Sequence, residues 1–277
     1  MAADSDSRPV TIRVEAVEHT FGGDDPAHHV RALDRISLEV FHGEMLCLIG
    51  PSGCGKSTLL NVIGGMFTPS SGRALIDGEP ITRPMPAKIA YMFQESTLLP
   101  WATVLENIMV GLEFQGVAKL EREPRANAAL ATVNLQDFAA HFPDQLSGGM
   151  KQRVSLARAL SLGTEILLMD EPFASLDEQT RMVFGEDLSQ MLATTRKTIV
   201  FVTHSLAEAV FLADRVAVFT ARPGSIKEIM TIDEPHPRGP DFMTTDRFAR
   251  LRNSLYAQLR DEIRKAMREQ QVPSTID

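Results

Sequence analysis

The sequence predicts an α/β protein built on a largely parallel sheet, and three observations support this prediction. Residues 45–49 form a continuous apolar run that ends at a glycine-rich loop, a pattern typical of a strand buried on both faces. Residues 166–169 and 198–203 form two further apolar runs, and a helical pattern near residues 177–194 lies between them. Because such alternation of strands and helices is typical of α/β cores, these segments predict the centre of the fold.

The segments on either side of the glycine-rich loop extend this prediction. Alternating apolar and polar residues predict two half-buried strands, at 11–17 and 36–40. A helix is predicted over 58–66, where two glycines close it. Residues 74–76 are expected to form a strand followed by a tight turn, and three prolines predict an irregular segment over 80–86.

The rest of the chain divides into a helical insertion, a last strand and a C-terminal helix. Residues 104–142 are rich in Ala, Leu and Glu and predict a separate helical subdomain, taken as about 97–160. Residues 217–220 predict one more strand. We therefore expect a flexible tail over 1–9, a main domain over 10–232, and a linker with an amphipathic helix over 233–277. Apolar residues recur in that helix at steps of three or four: Phe248, Leu251, Leu255, Leu259, Ile263 and Met267.

Composition restricts the function classes. With 36 acidic and 28 basic residues the formal charge is −8, so no nucleic-acid partner is expected from the general field of the chain. The two cysteines, Cys47 and Cys54, have no metal-ligand spacing and no disulfide framework, which fits a reducing compartment. Residues 1–9 are acidic and polar, unlike a signal peptide, and the apolar runs are too short to cross a bilayer. A soluble chain is expected, with any membrane role supplied by a partner.

A phosphate-binding loop is predicted directly after the strand at 45–49. Residues 50–58 read GPSGCGKST and contain the spacing GxxxxGK[ST]. The glycines let the backbone curl so that N–H groups converge on phosphate oxygens, and the following helix points its positive end at the same anion. Lys56 would supply a charge for the β- and γ-phosphates, and Ser57 a hydroxyl for Mg²⁺. The predicted nucleotide-binding residues of this loop are Gly50, Pro51, Ser52, Gly53, Cys54, Gly55, Lys56, Ser57 and Thr58.

Two carboxylates follow the apolar run at 166–169. Asp170 and Glu171 stand at the carboxyl end of the predicted strand, where open α/β sheets place their ligands. Beside a phosphate loop, such an aspartate holds the shell of Mg²⁺, and Glu171 could orient or deprotonate water. The alternative is an exposed pair of acids at the end of a strand.

A second anion-binding helix terminus is predicted at 147–149. Ser147 could cap a helix over 150–160, and Gly148 and Gly149 expose backbone amides beside it. One nucleotide does not obviously need both termini of one chain. In a two-fold dimer, however, each nucleotide could be clamped between the loop of one chain and residues 147–149 of the other.

Together these motifs resemble those of the nucleotide-binding subunit of an ATP-binding cassette (ABC) transporter, over about residues 10–224. The resemblance implies a P-loop NTPase (RecA-like) core with an antiparallel β subdomain and an inserted α-helical subdomain. It also implies ATP hydrolysis with Mg²⁺, since residues 50–58 match Walker A and residues 167–170 match Walker B. Residues 146–149 match the signature that meets the ATP of the opposite subunit, and residues 175–177 match the D-loop at the dimer interface.

The same resemblance assigns further site residues. Glu171 matches the catalytic base, Gln94 the Q-loop that touches Mg²⁺ and water, and His204 the switch histidine that contacts the γ-phosphate. Phe21 stands where the family stacks an aromatic ring on adenine, although a tyrosine is more common there, and Met150 replaces the usual glutamine at the end of the signature. The implied metal-binding set is Ser57, Gln94 and Asp170.

Three segments resemble one branch of the family, the nitrate/sulfonate/taurine-type importers: Met150 with the following KQR, the run at 98–107, and residues 222–224. This implies an ATPase subunit of an importer for a small anionic solute. The implied partners are a second copy of the chain with ATP sandwiched between the subunits, integral membrane permease subunits, and, indirectly, an extracytoplasmic solute-binding protein. The chain would lie peripherally on the cytoplasmic face of the inner membrane, with Trp101 partly facing the permease.

Two other classes are weighed against this interpretation. A non-transport ABC ATPase would act on nucleic acid or ribosomes, but such proteins usually carry two cassettes or long insertions and favour basic surfaces. A P-loop kinase or GTPase would lack the Ser-Gly-Gly signature.

Overall fold

The computed structural model describes residues 8–22 and 29–271, so residues 1–7 of the predicted tail lie outside the described residues. A four-stranded antiparallel sheet contains β1 (Val10–Phe21), β2 (Val30–Phe41), β4 (Ser71–Ile76) and β5 (Glu79–Pro80), in the order β2-β1-β4-β5. A six-stranded sheet contains β3 (Met45–Ile49), β6 (Ile89–Met92), β7 (Ile166–Asp170), β8 (Thr198–Val202), β9 (Arg215–Phe219) and β10 (Ile226–Thr231). Its order is β10-β9-β3-β8-β7-β6, and every neighbouring pair except β10 with β9 is parallel.

The parallel sheet divides the hydrophobic core into two layers. All five residues of β3, β7 and β8 are buried, as continuous apolar runs predict for strands covered on both faces. Successive side chains alternate between the layers: Leu46 and Leu48 pack toward the antiparallel sheet, whereas Cys47 and Ile49 pack toward the helices. The central strands are therefore packed on both faces, and this packing keeps their carboxyl ends in fixed positions at one edge of the sheet.

Eight α-helices connect and cover the strands in the described residues: α1 (Lys56–Ile63), α2 (Val104–Phe114), α3 (Lys119–Thr132), α4 (Gly148–Ser161), α5 (Glu178–Thr195), α6 (Leu206–Leu212), α7 (Pro240–Met243) and α8 (Asp246–Gln271). Helices α2, α3 and α4 pack against one another, between β6 and β7 in the chain. A capping box fixes the start of α2, because Thr103 Oγ1 accepts from the Glu106 N–H and the Glu106 carboxylate accepts from the Thr103 N–H.

The C-terminal region is packed on the rest of the chain. Arg238, in the segment predicted as a linker, is buried, and its guanidinium donates to the carbonyl oxygens of Val210, Phe211 and Ala213 at the end of α6. Helix α8 follows and packs against α6 and β9 through an apolar face, as its periodicity predicts. Within the two described ranges, no helix combines the length and apolar character needed to span a membrane.

Several element boundaries differ from the sequence-based expectation. Strands β1 and β2 extend well beyond 11–17 and 36–40 because each pairs with its neighbour along most of its length. Helix α1 begins at Lys56 and not at residue 58. Pro80, expected in an irregular segment, lies in the short edge strand β5, where no ladder donor is required of it.

Candidate active site

The loop at 50–55 connects β3 to α1 and takes the curled shape that its glycines permit. Gly53 and Gly55 have φ angles of 73° and 104°, in the left-handed region that favours glycine. A Cβ at Gly55 would stand 2.7 Å from the carbonyl oxygen of Ala32, so only glycine fits between the loop and β2. Lys56 is 4% exposed, and its Nζ donates to the carbonyl oxygens of Gly50 and Pro51, both at 2.9 Å. The lysine therefore braces the loop from within.

The N-terminus of α1 is built to face an anion. Its N-cap, Gly55, provides no side-chain hydrogen bond, and the first turn contains no acidic residue. The backbone N–H groups of this turn and the helix dipole are thus left for a ligand, which is how helix N-termini bind phosphate.

A hydroxyl and a carboxylate meet beside this helix. Ser57 Oγ donates to Asp170 Oδ1 at 2.9 Å, which joins the start of α1 to the carboxyl end of β7. Burial raises the pKa of Asp170 above its ordinary value, and the hydrogen bond from Ser57 opposes that shift. Hydroxyl and carboxylate oxygens are donors that Mg²⁺ prefers, so this pair fits the ion. No group of three or more His, Cys, Asp and Glu side chains able to hold a metal occurs in the described part of the chain.

Glu171 lies at the centre of a three-residue cluster. Its Oε1 is 2.7 Å from His204 Nε2, and its Oε2 accepts from Gln94 Nε2 at 3.2 Å. Gln94, Glu171 and His204 follow β6, β7 and β8, so the cluster forms at the shared carboxyl edge of neighbouring parallel strands. The φ of Glu171 is 48°, a left-handed conformation that costs a non-glycine residue about 1 kcal/mol. Its own N–H is nevertheless held by Val202 O at 3.0 Å.

A cavity of about 430 Å³ brings most of the predicted site residues together. Phe21 lines it and is 41% exposed, with its ring packed edge-on against His19 and Phe67. This leaves an aromatic surface open to a flat ligand. The other residues lining the cavity are Val30, Ala32, Ser52, Gly53, Gly55, Lys56, Ser57, Thr58, Gln94, Glu171, His204 and Arg222.

The remaining predicted residues occupy different surroundings. Pro51 and Cys54 are buried within the loop and do not line the cavity. Ser147 caps α4, accepting from the Met150 N–H at 3.2 Å, and the helix starts two residues earlier than expected. Ser147 does not line the cavity. A Cβ at Gly148 would lie 3.3 Å from the Ser175 carbonyl oxygen, so the signature at 146–149 packs against the D-loop segment at 175–177.

Sequence reasoning missed three residues of the cavity wall: Val30, Ala32 and Arg222. Val30 and Ala32 lie on β2, whose first half was not predicted to be strand. The sequence identifies Arg222 only as part of a segment that resembles one branch of the family. Its position in the cavity wall depends on how the turn after β9 packs. One signal for Arg222 was present in the sequence, because the turn follows the carboxyl end of a predicted strand of the parallel sheet, where such sheets bind ligands.

The segment after Gln94 is attached to α4. Gln152 Nε2 donates to the Gln94 carbonyl oxygen at 2.8 Å, and Arg158 donates to Thr97 O at 2.8 Å and to Thr97 Oγ1 at 2.7 Å. The helix that starts at the signature therefore holds the backbone that carries Gln94.

A phosphate loop, a helix N-terminus without a cap, and paired acids at the edge of a parallel sheet define a P-loop nucleotide-binding protein. The model of the ABC transporter family matches residues 33–174. An uncharacterized ABC transporter ATP-binding protein of Methanocaldococcus jannaschii is 45% identical over 263 residues, covering 95% of this chain and 96% of that protein. The chain belongs to the ABC transporter family.

Two relatives carry transport descriptions. A taurine import ATP-binding protein of Rhizobium johnstonii is 43% identical over 236 residues, with 85% of this chain and 88% of that protein covered. A nitrate import ATP-binding protein of Synechocystis is 44% identical over 206 residues, with 74% and 77% covered.

A solved structure supports the fold and the enzyme class. It is described as a dimeric, post-hydrolysis ATP-binding cassette bound to ADP and Pi, and it superposes with a TM-score of 0.72 at 32% identity. The likeness covers 81% of this chain and all of that one. The predicted P-loop NTPase fold is confirmed, and so is the prediction that the chain is an ATPase.

Proposed function

We propose that this chain is the ATP-hydrolysing subunit of an importer for a small anionic solute and that it works as a homodimer bound to a membrane permease. The observation that carries the proposal is the joining of Gln94, Glu171 and His204 at the wall of the phosphate-loop cavity. The similarity to import subunits for taurine and nitrate supports the transport role and the class of solute.

In this proposal ATP occupies the cavity of about 430 Å³. Phe21 stacks on the adenine, and the backbone N–H groups of the glycine-rich loop and of the first turn of α1 surround the phosphates. Ser57, Asp170 and Gln94 would hold Mg²⁺, which neutralises charge on the phosphate oxygens when it is bound. Lys56 contributes the fixed positive charge of the loop.

Glu171 then acts on the attacking water. A carboxylate held between an imidazole and an amide is fixed in direction, so one oxygen can accept a proton from water while His204 and Gln94 position the reacting groups. Because phosphoryl transfer depends mainly on positioning and charge stabilisation, small displacements of this cluster would change the rate strongly.

The place of the signature supports the proposed dimer. Ser147 and Gly148 are exposed and lie apart from the cavity lining of their own chain, and α4 has no acidic residue in its first turn. A helix N-terminus of this kind binds anions, so it would serve the nucleotide of a second copy. A two-fold arrangement completes both sites at once.

The proposed permease surface lies around the segment after Gln94. Trp101 is 74% exposed, and Phe93 and Phe114 are also exposed. Exposed aromatic side chains of this kind suit a helix-in-groove contact with a partner. The chain would then sit peripherally on the cytoplasmic face of the membrane, and the permease with a solute-binding protein would set the solute.

Affinity purification from detergent-solubilised membranes tests the transport role. We expect a multi-spanning permease to co-purify with the wild-type chain and to be reduced with Trp101→Ala, whereas Tyr256→Ala, an exposed aromatic on α8, retains it. Nucleic acid or ribosomes recovered in place of a permease would instead support the non-transport alternative, which the charge of −8 disfavours.

A further inference from the structure

The turn that follows β9 is wedged against the phosphate loop. The N–H of Gly224 donates to Ala32 O at 2.9 Å, and its carbonyl oxygen accepts from the Asp34 N–H at 2.9 Å. A Cβ at Gly224 would collide with the carbonyl oxygen of Cys54. The turn is therefore fixed between β2 and the loop, and it brings the residues before Gly224 to the nucleotide cavity.

Arg222, on this turn, reaches the cavity with its side chain. Its Nε donates to the Gly53 carbonyl oxygen at 3.0 Å, and the residue lines the cavity together with Ser52 and Lys56. Across residues 8–22 and 29–271, its two terminal nitrogens have no hydrogen-bond or ion-pair partner. One edge of the guanidinium is thus anchored, and the other edge keeps its donors for a ligand.

Arg222 differs from the other charged residues of the cavity because those residues are already paired within the site. Lys56 already directs its ammonium to two loop carbonyl groups, and Glu171 is occupied by Gln94 and His204. Arg222 is therefore the cation of the cavity wall whose terminal nitrogens are not used within the described chain. Its anchor, Gly53, belongs to the loop that surrounds the phosphates and not to the aromatic wall at Phe21.

We infer that Arg222 is a phosphate-contacting residue of the nucleotide site, and this inference rests on the nucleotide site proposed above. The guanidinium, held by Gly53, donates from its terminal nitrogens to oxygens of the polyphosphate. An arginine suits this role because its planar donors match phosphate oxygens in pairs. It adds a charge that the phosphate-loop motif does not contain.

Nucleotide binding to two variants tests the inference. Arg222→Gln keeps a donor for the Gly53 carbonyl group but removes the charge, whereas Arg222→Lys keeps the charge. With a fluorescent ATP analogue as reporter, we expect Arg222→Gln to weaken ATP and inorganic tripolyphosphate by about five- to twenty-fold, and Arg222→Lys by about threefold or less. The loss should shrink as salt is raised, because an exposed cation is screened. Arg250→Gln, which removes a cation from the exposed face of α8, is the matched control and should bind like wild type.

Competition by adenosine separates a phosphate contact from a base or ribose contact. We expect adenosine to compete equally well for wild type and Arg222→Gln. Wild-type affinity of Arg222→Gln for ATP and tripolyphosphate, or an equal loss for adenosine, overturns the inference. Lys56→Ala separates the proposed nucleotide site from the proposed role of Arg222. If Lys56→Ala weakens ATP binding while Arg222→Gln does not, the nucleotide site stands and only the role of Arg222 is wrong. If Lys56→Ala binds ATP like wild type, the proposed site falls and the inference with it.

Discussion

Replacing Glu171 with glutamine separates nucleotide binding from hydrolysis. The substitution is isosteric, and the acid makes two contacts, with His204 at 2.7 Å and Gln94 at 3.2 Å. An amide at 171 can still accept from His204 through its oxygen, and a flip of the Gln94 amide lets the new NH₂ donate to it. The free energy of unfolding should therefore change by less than about 1 kcal/mol.

The catalytic effect should be far larger than the structural one. A positioned general base contributes about 10²- to 10⁴-fold, so turnover should fall by that factor, which corresponds to roughly 3–5 kcal/mol of activation free energy. ATP affinity should be kept or improved, because a negative charge next to the phosphates is removed. That charge also helps to raise the pKa of Asp170, so in the variant this aspartate ionises more readily.

Steady-state phosphate release, a fluorescent ATP analogue and light scattering with ATP measure turnover, affinity and dimerisation. Glu228→Gln, which replaces an exposed acid on β10, is the control and should match wild type in all three. Wild-type turnover of Glu171→Gln would refute the assignment of the base. Loss of ATP binding in that variant would instead show that Glu171 supports the fold of the site.

Three further predictions follow from the structure. Ser147→Ala should lower turnover about tenfold or more while a single chain binds ATP as before, because in the proposed dimer the signature serves the second copy; equal loss of ATP affinity in dilute monomer contradicts this. Arg238→Met should lower the free energy of unfolding by roughly 2–4 kcal/mol in urea titrations, since buried carbonyl groups at the end of α6 lose their donor, while ATP affinity is unchanged. Burial raises the pKa of Glu208, so this carboxyl group stays protonated to higher pH in the folded chain than in the unfolded chain. The free energy of unfolding should therefore fall as the pH rises from the unfolded-state pKa to the folded-state pKa of Glu208. Unfolding curves of Glu208→Gln at several pH values should lack that part of the decline.

The sequence predicted the central site because its signals are local. The spacing of residues 50–58 specifies a curled backbone followed by a helix, and an apolar run ending at Asp170 specifies a strand edge beside it. Gln94 and His204 were assigned by resemblance, since nothing local shows that they converge on Glu171. Both residues reach Glu171 because β6, β7 and β8 are neighbours in the sheet. The spacing of residues along the chain does not reveal that strand order.

Other features depend on packing over long distances and could not be predicted. Arg222 meets Gly53 across 169 positions, through a turn whose place is set by β2. Strand β6 has only four residues and gains its pairing from β7, and β10 is an edge strand with charged residues in its middle. Such short or polar strands carry little periodicity of their own, so their neighbours decide their conformation.

Helix α4 ties the two ends of the proposed coupling together. Its N-terminus carries Ser147, which would meet the ATP of the second copy, and its body holds the backbone of Gln94 and Thr97 through Gln152 and Arg158. A helix is stiff along its axis, so a shift of the segment that carries Trp101 would be transmitted to the signature and to the Gln94–Glu171 contact together. In the proposed importer, a permease that moves this segment would therefore change the closure of the dimer and the geometry around Glu171 in one step. A site completed only on closure would hydrolyse ATP only after the permease has moved, and hydrolysis would then stay coupled to transport.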